Sequence, residues 1–318
     1  MSMTGDVPGA PVGAVLRPRL ATRLGGPERV ALIVAPPGYG KTEVARQWML
    51  TATDAAWLAV DLLDAAPGSF WSHFLRTLRT VEPSIDDEPE LLLHERGPAD
   101  PLFLEALVNQ LERTAAPASI VIDDIGRVTD ESVFDGLALL VNRIGHLVRF
   151  VIIGRADPPL PTAPWRSRGW LAEIREEDLR FADDEAGLVA AHVGGLELTP
   201  EAIAALNASA EGWPIALHLA LMAVASEPEP ESRAHALGRA DRLLIDYLVS
   251  EVLDHLPPAQ RDVSLALSVL PWFDRELCAG LLGDDALPAV AELRRQHLFL
   301  TTIGGTGGAM RFHPLFRA

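Results

Sequence analysis

The spacing of apolar positions changes once along the chain, near residue 176. Before it, short continuous apolar runs alternate with stretches of helical spacing. Arg29-Val30-Ala31-Leu32-Ile33-Val34, residues 56–62 (AWLAVDL), 118–122 (ASIVI) and 149–154 (RFVIIG) read as strands. Residues 42–50, 68–78, 101–113 and 132–144 have helical spacing. Strands with few polar interruptions suit a parallel sheet covered on both faces, with helices as crossovers. Residues 1–15, rich in Gly, Pro and small side chains, read as a loose arm. Residues 17–20 begin a short helical lead-in closed by Gly25-Gly26-Pro27, and residues 82–100, acidic and proline-containing, read as an exposed loop.

After the change, residues 183–193, 200–208 and 213–225 are helical with no strand between them. Residues 227–232 (EPEPES) form a charged, proline-broken linker. Four more helical segments follow at 241–256, 258–270, 274–282 and 287–296. Residues 297–303 and 310–313, around a glycine-rich 304–308, read as a hairpin, and helices followed by a hairpin suggest a winged helix. The expected organisation is an arm (1–27), an α/β P-loop NTPase core with helices on both faces of a parallel sheet (28–176), an all-helical domain (177–235) and a winged-helix domain (236–318).

Composition narrows the class. A chain of 318 residues predicts two or three domains. The net charge of −17 argues against sequence-independent binding to phosphate backbones. Cys278 is the only cysteine, so no intrachain disulfide forms and a reducing compartment fits. The N-terminus lacks a basic stretch followed by an apolar core, and the longest apolar run, 213–225, is too short for a bilayer and contains His218. A cytoplasmic location and no membrane partner are expected.

The chain has a single lysine, and it falls in Ala35-Pro36-Pro37-Gly38-Tyr39-Gly40-Lys41-Thr42, directly after the first apolar run. Strand, glycine-rich turn, Lys-Thr and helix is the order that a triphosphate site requires. Gly38 and Gly40 allow a tight turn whose N–H groups point at phosphate oxygens, and the following helix presents its positive end to the same anion. Lys41 is expected to reach the β- and γ-phosphates, and the Thr42 hydroxyl to ligate Mg²⁺. The usual motif opens on glycine where this chain has Ala35, which fits if the backbone there has negative φ. The competing reading is a plain turn before a helix with a surface lysine.

A second motif is Ile120-Val121-Ile122-Asp123-Asp124, an apolar strand ending in two carboxylates. Asp123 is expected to hold Mg²⁺, directly or through water, and Asp124 to orient or deprotonate the attacking water. Another strand ends in Gly154-Arg155, and ligands sit beyond the carboxyl ends of parallel strands, so Arg155 is a candidate for the γ-phosphate. The alternative is a surface arginine.

These motifs together resemble the nucleotide-binding module of the MalT-like, LuxR-family activators, signal-transduction ATPases with numerous domains related to the NB-ARC and NACHT proteins. The matching stretches are Leu16-Arg17-Pro18-Arg19-Leu20, residues 35–42, 57–61, 121–124, Gly154-Arg155, 179–186 (LRFADDEA), 211–217 (EGWPIAL), 246–252 (DYLVSEV) and 313–316 (HPLF). The resemblance implies that Pro37, Gly38, Tyr39, Gly40, Lys41, Thr42, Glu43 and Arg19 contact ATP or ADP with Mg²⁺. It implies that Arg155 is the sensor arginine, that Pro214 packs near the adenine, and that His313 touches the diphosphate of a closed ADP form. Pro214 also reads as a helix-start proline, and His313 as a structural histidine. Glu43 departs from the Thr or Ser common there and adds negative charge near the phosphates.

What the resemblance implies is a nucleotide switch: closed with ADP, open and self-associating with ATP, reset by slow hydrolysis. Family members continue into a helical-repeat sensor and a DNA-binding helix-turn-helix, so DNA contact is expected only through a region outside this sequence. The winged-helix part is not basic, residues 274–285 holding four acids and one arginine. The rivals are a non-hydrolysing nucleotide-binding scaffold and a P-loop kinase of small molecules, with Arg166 and Arg168 cast as lid arginines.

Overall fold

The computed structural model describes residues 4–5, 7–9, 14–52, 54–113, 118–194, 198–225, 243–295, 300–303, 308–313 and 316. Contacts divide the chain into two units, one built on Met1–Pro11, Leu16–Val34 and Lys41–Asp178, the other on Val12–Val15, Ala35–Gly40 and Leu179–Ala318.

The first unit holds a six-stranded sheet in the order β1-β3-β4-β5-β2-β6. Its strands are β1 (Thr4–Gly5), β2 (Val30–Val34), β3 (Ala55–Ala59), β4 (Ala118–Asp123), β5 (Val148–Gly154) and β6 (Leu171–Ile174). Every pairing is parallel. Strand β2 lies between β5 and β6, with Val30 opposite Phe150 on one side and Leu171 on the other. The acidic end of β4 is therefore one strand removed from β2. The helices are α1 (Pro18–Leu24), α2 (Lys41–Met49), α3 (Pro67–Arg79), α4 (Glu88–Arg96), α5 (Pro101–Leu111), α6 (Glu131–Ile144), α7 (Thr162–Ser167) and the single turn α8 (Glu176–Leu179).

Helices cover both faces of the sheet. Val30, Leu32 and Val34 of β2 join Ile120, Ile122, Phe150 and Ile152 in a core closed by α3, α5 and α6. The alternate residues Ala31 and Ile33 are equally buried and face the other way. That two-sided burial explains the continuous apolar strands. Helix α3 buries Phe70, Phe74 and Leu78, one residue per turn, with Trp71 edge-on to Phe103 of α5. Asp100 and Asp130 cap α5 and α6 by accepting from Leu102 N and Ser132 N.

Three expectations need correction. The stretch read as an exposed loop over 82–100 contains α4. Its first turn carries Glu88 and Glu90, its last His94 and Arg96, matching the helix dipole, and Leu93 and Ile85 enter the core. The arm is not wholly loose, since Thr4–Gly5 pairs with Ala56 and Trp57 at the sheet edge. The strand expected to run to Leu62 stops at Ala59, because Asp61 Oδ1 accepts from Leu63 N and Asp64 N and bends the chain. Helix α7 and strand β6 were not anticipated.

The second unit has no strand before its hairpin among the described residues. It contains α9 (Asp183–Gly194), α10 (Pro200–Ser209), α11 (Pro214–Ala225), α12 (243–251), α13 (Pro258–Ser268), α14 (Arg275–Leu282) and α15 (Leu287–Arg295). Strands β7 (Leu300–Ile303) and β8 (Ala309–Phe312) pair antiparallel. Phe273, between α13 and α14, exchanges two backbone hydrogen bonds with Met310, an isolated antiparallel bridge that brings a third segment against the wing. Phe273, Phe312 and Phe316 stack beside it. The linker expected at 227–232 lies outside the described residues.

Candidate nucleotide site

The phosphate loop needs its glycines. Gly38 and Gly40 have φ of +77° and +75°, where side chains are strained. A Cβ on Gly38 would also stand 2.4 Å from Ile215 Cγ2 and 3.0 Å from Trp213 Nε1. Among described residues the non-glycine positive-φ positions are Asp54, Asp124 and Glu211, so Ala35 has negative φ and its methyl is tolerated.

Helix α2 starts at Lys41. In the first unit, Thr42 Oγ1 donates to Asp123 Oδ2 at 3.0 Å. Asp123 Oδ1 accepts from the N–H of Asp124 at 2.9 Å, which fixes the carboxylate at the end of β4. Ligands at right angles in a Mg²⁺ octahedron, with bonds of about 2.0–2.1 Å, are separated by about 2.9 Å. Thr42 and Asp123 therefore fit two adjacent positions around such an ion. Burial, then the like charge of Asp124, pushes the Asp123 carboxyl up, against the Thr42 hydroxyl, the Asp124 N–H and Lys41. Lys41 is half-buried. Desolvation, then the nearby Arg155 charge, pushes its ammonium down to about 8, while Asp124 and Asp123 pull the other way.

Asp124 sits in the left-handed region, φ +59°, at the turn leaving β4. Asp is among the few side chains that tolerate it, and such strain concentrates at working sites. Its carboxylate meets Arg127 Nε at 3.2 Å and Arg155 Nε at 4.0 Å; Arg127 is exposed, and Asp124 and Arg155 are half-buried. Arg155 leads a loop held by Asp157, which pairs with Arg175 at 2.5 Å. Arg175 in turn meets Glu173, which also holds Arg166 at 2.7 Å. These arginines hold the Glu173 carboxyl down to about 2, and Arg166, one of the two lid arginines of the kinase reading, is engaged with β6.

Glu43 points its carboxylate along α2. Both oxygens accept from Arg46 at 2.7 Å, and Oε1 also accepts from Gln47. Its charge is matched within the helix. Gln47 Oε1 accepts from Arg17 N at 2.8 Å and so fixes the start of α1. Arg19 is exposed on α1.

Within the second unit, a fully buried Trp213 gathers the remaining candidates. Its Nε1–H donates to the carbonyl of Pro37 at 3.2 Å, and Tyr39 stacks on it at 6.2 Å between centroids. Tyr247 and His313 meet its ring edge-on at 6.3 and 5.7 Å. Buried His313 Nε2 lies 3.4 Å from Glu211 Oε2. Pro214 is the first residue of α11, where a missing N–H costs nothing, and Ile215 N–H donates to the Gly38 carbonyl at 3.2 Å. Trp213 and Ile215 were not anticipated as site residues. The signal was a tryptophan between glycine and a helix-start proline.

A cavity of about 900 Å³ in the first unit lies elsewhere, where β4 and β5 begin, lined by Leu16, Trp48, Ala52, Ser119, Leu147 and Arg149. Arg149 is already committed there to the carbonyls of Gly26 and Glu28.

A parallel sheet with helices on both faces, a glycine-rich loop opening α2 and a hydroxyl–carboxylate pair across the strand ends define a P-loop ATPase domain. Residues 24–157 match the AAA domain family and residues 249–318 the MalT winged helix domain family. The chain therefore joins an AAA-type P-loop domain to a MalT winged-helix domain. It is similar to the serine/threonine-protein kinase PknK of Mycobacterium tuberculosis, 31% identical over 97% of this chain and 29% of that protein. It is also similar to the HTH-type transcriptional regulator MalT of Serratia proteamaculans, 30% identical over 95% of this chain and 34% of that protein. The chain thus spans about a third of the length of these curated relatives. A Walker-type ATPase of Pyrococcus abyssi shares the fold, with a TM-score of 0.61 at 12% identity over 94% of this chain and 93% of that one. No described helix is long and apolar enough to cross a membrane.

Proposed function

We propose that this module is an ATP- and ADP-dependent switch within a cytoplasmic MalT-like regulator. The phosphate loop, Lys41 and Thr42 bind the nucleotide, with Thr42 and Asp123 sharing Mg²⁺. Asp124 activates water for slow hydrolysis, and Arg155 senses the γ-phosphate. Pro214 and His313 favour the ADP form, while ATP favours a self-associating form that acts on transcription through DNA-binding regions outside this stretch. The γ-phosphate drives the change only if it binds the two forms unequally.

The observation that carries this reading is the 3.0 Å contact between Thr42 and Asp123 beside a lysine with a depressed pKa. The similarity across this one stretch to both a protein kinase and a transcriptional regulator supports a regulatory unit separate from either output. The test is to denature the purified protein and identify released nucleotide by chromatography. Near-stoichiometric ADP is expected. No released nucleotide, with no rise in melting temperature on adding ADP or ATP, overturns the reading.

A further inference from the structure

The carbonyls of the phosphate loop are held as firmly as its amides must be. Pro36 and Pro37 have no N–H, so the first loop donors a phosphate can meet are Gly38 and Tyr39. In a planar trans peptide the N–H points opposite to the C=O. The peptide that carries the Gly38 N–H has its carbonyl on Pro37, bound by the Trp213 indole at 3.2 Å. The peptide that carries the Tyr39 N–H has its carbonyl on Gly38, bound by Ile215 N–H at 3.2 Å. Both bonds pull their carbonyls toward the start of α11, and both amides must face the opposite way.

The helix supplies these donors for a local reason. The first N–H groups of a helix lack partners within it. Pro214 has none, so Ile215 is the first donor of α11, and the Trp213 ring stands just before it. Trp213 is fully buried and gripped by Tyr39, Tyr247 and His313, so its N–H has a fixed direction.

We infer that Trp213 is a positioning residue for phosphate binding: its indole N–H, with Ile215 N–H, sets the two loop peptides so that the Gly38 and Tyr39 amides face a nucleoside diphosphate. This rests on the nucleotide reading above and adds how the site is regulated. The phosphate grip depends on α11 remaining bonded to the loop, and releasing these carbonyls frees the peptides to turn and lets the diphosphate leave.

The test replaces Trp213 by benzothienylalanine, which keeps the bicyclic shape and lacks the N–H. ADP binding is measured by titration calorimetry and by dissociation rate, beside wild type, Trp213→Phe and Lys41→Ala. Loss of one hydrogen bond is expected to weaken ADP about fivefold, through faster dissociation, with only the small drop in nucleotide-free melting temperature that the same lost bond causes. Trp213→Phe shows the same weakening plus a lower melting temperature from lost packing. Wild-type affinity in the isostere, while Lys41→Ala abolishes binding, overturns the role of Trp213 and leaves the nucleotide reading standing. Weakening in Trp213→Phe alone assigns the effect to packing and also overturns it. A wild-type protein that binds neither ADP nor ATP removes the nucleotide reading and this inference with it.

Discussion

The Thr42 hydroxyl donates to the Asp123 carboxylate at 3.0 Å, joining residues 81 apart in sequence, one opening a helix and the other ending a strand. Sheet topology makes the meeting possible. Strand β5 separates β2 from β4, and all three run parallel, so their carboxyl ends share one edge. The helix that follows β2 turns back from that edge and presents its first residues to it. The 3.0 Å separation matches that of two adjacent ligands of a small, hard cation, so such an ion would replace the hydrogen bond without rearrangement.

Asp123→Asn tests that exchange. The amide still accepts from Thr42 and preserves the fold, but the charge that attracts the metal is gone. ATP affinity with Mg²⁺ is expected to fall by about 10- to 100-fold, the range for loss of one metal-site partner. Affinity measured in EDTA should change little. An equal loss with and without Mg²⁺ would show that Asp123 acts on the loop and not through the ion.

Asp124→Asn separates hydrolysis from binding. Asn is one of the few residues that adopt the left-handed conformation readily, so the turn at φ +59° survives. The contacts to Arg127 and Arg155, open to solvent on one side, are worth little in stability. ATP turnover is expected to drop by roughly 10²–10⁴, the range for a lost general base, with ADP affinity within about threefold. Unchanged turnover would remove Asp124 from the reaction, and undetectable wild-type turnover would favour the non-hydrolysing scaffold.

Several features of the site were legible in the sequence because they are local. Ala35–Thr42 spells its own turn, and the Arg46 and Gln47 partners of Glu43 lie three and four residues on, where helix geometry places neighbours. Strands were legible where both faces are buried. Strand β6 was not, because its Glu173 belongs to an arginine network and breaks a run of only four residues. Helix α4 was hidden by Leu91-Leu92-Leu93, a run without amphipathic spacing in which only Leu93 is fully buried. The bond from Trp213 to Pro37 spans 176 residues, and no periodicity or spacing rule reports a contact at that range.

Gly38→Ala should damage the protein twice over. At φ +77° the methyl is strained, and it meets Ile215 Cγ2 at 2.4 Å. The strain alone is about 1–3 kcal/mol, and displacing Ile215 also weakens the bond from its N–H to the Gly38 carbonyl. Gly40→Ala has φ of +75° but no atom within 4 Å of its Cβ, so it isolates the backbone term. Urea unfolding is expected to rank wild type above Gly40→Ala and Gly40→Ala above Gly38→Ala. Equal losses in the two variants would mean that Ile215 yields freely.

Lys41 carries two opposite dependences on pH. Burial and Arg155 hold its pKa at about 8, below its ordinary value of 10.5. The unfolded chain therefore keeps the proton more tightly than the folded one. A folding penalty for the charged ammonium is fully present below pH 8 and is relieved as pH rises from 8 toward 10.5. Lys41→Met should raise the nucleotide-free melting temperature at pH 7, and the gain should shrink above pH 8. Phosphate binding needs the charged form and raises its pKa, so binding takes up protons near pH 8. ADP affinity is then flat below pH 8 and falls above it, by up to about tenfold per unit. Calorimetry at pH 8 in buffers of different ionisation enthalpy measures the uptake directly. With a second pKa of about 6 the diphosphate loses only its last tenth of a proton above pH 7, so affinity independent of pH between 7 and 9 would mean that Lys41 does not bind the phosphates as an ammonium with this depressed pKa.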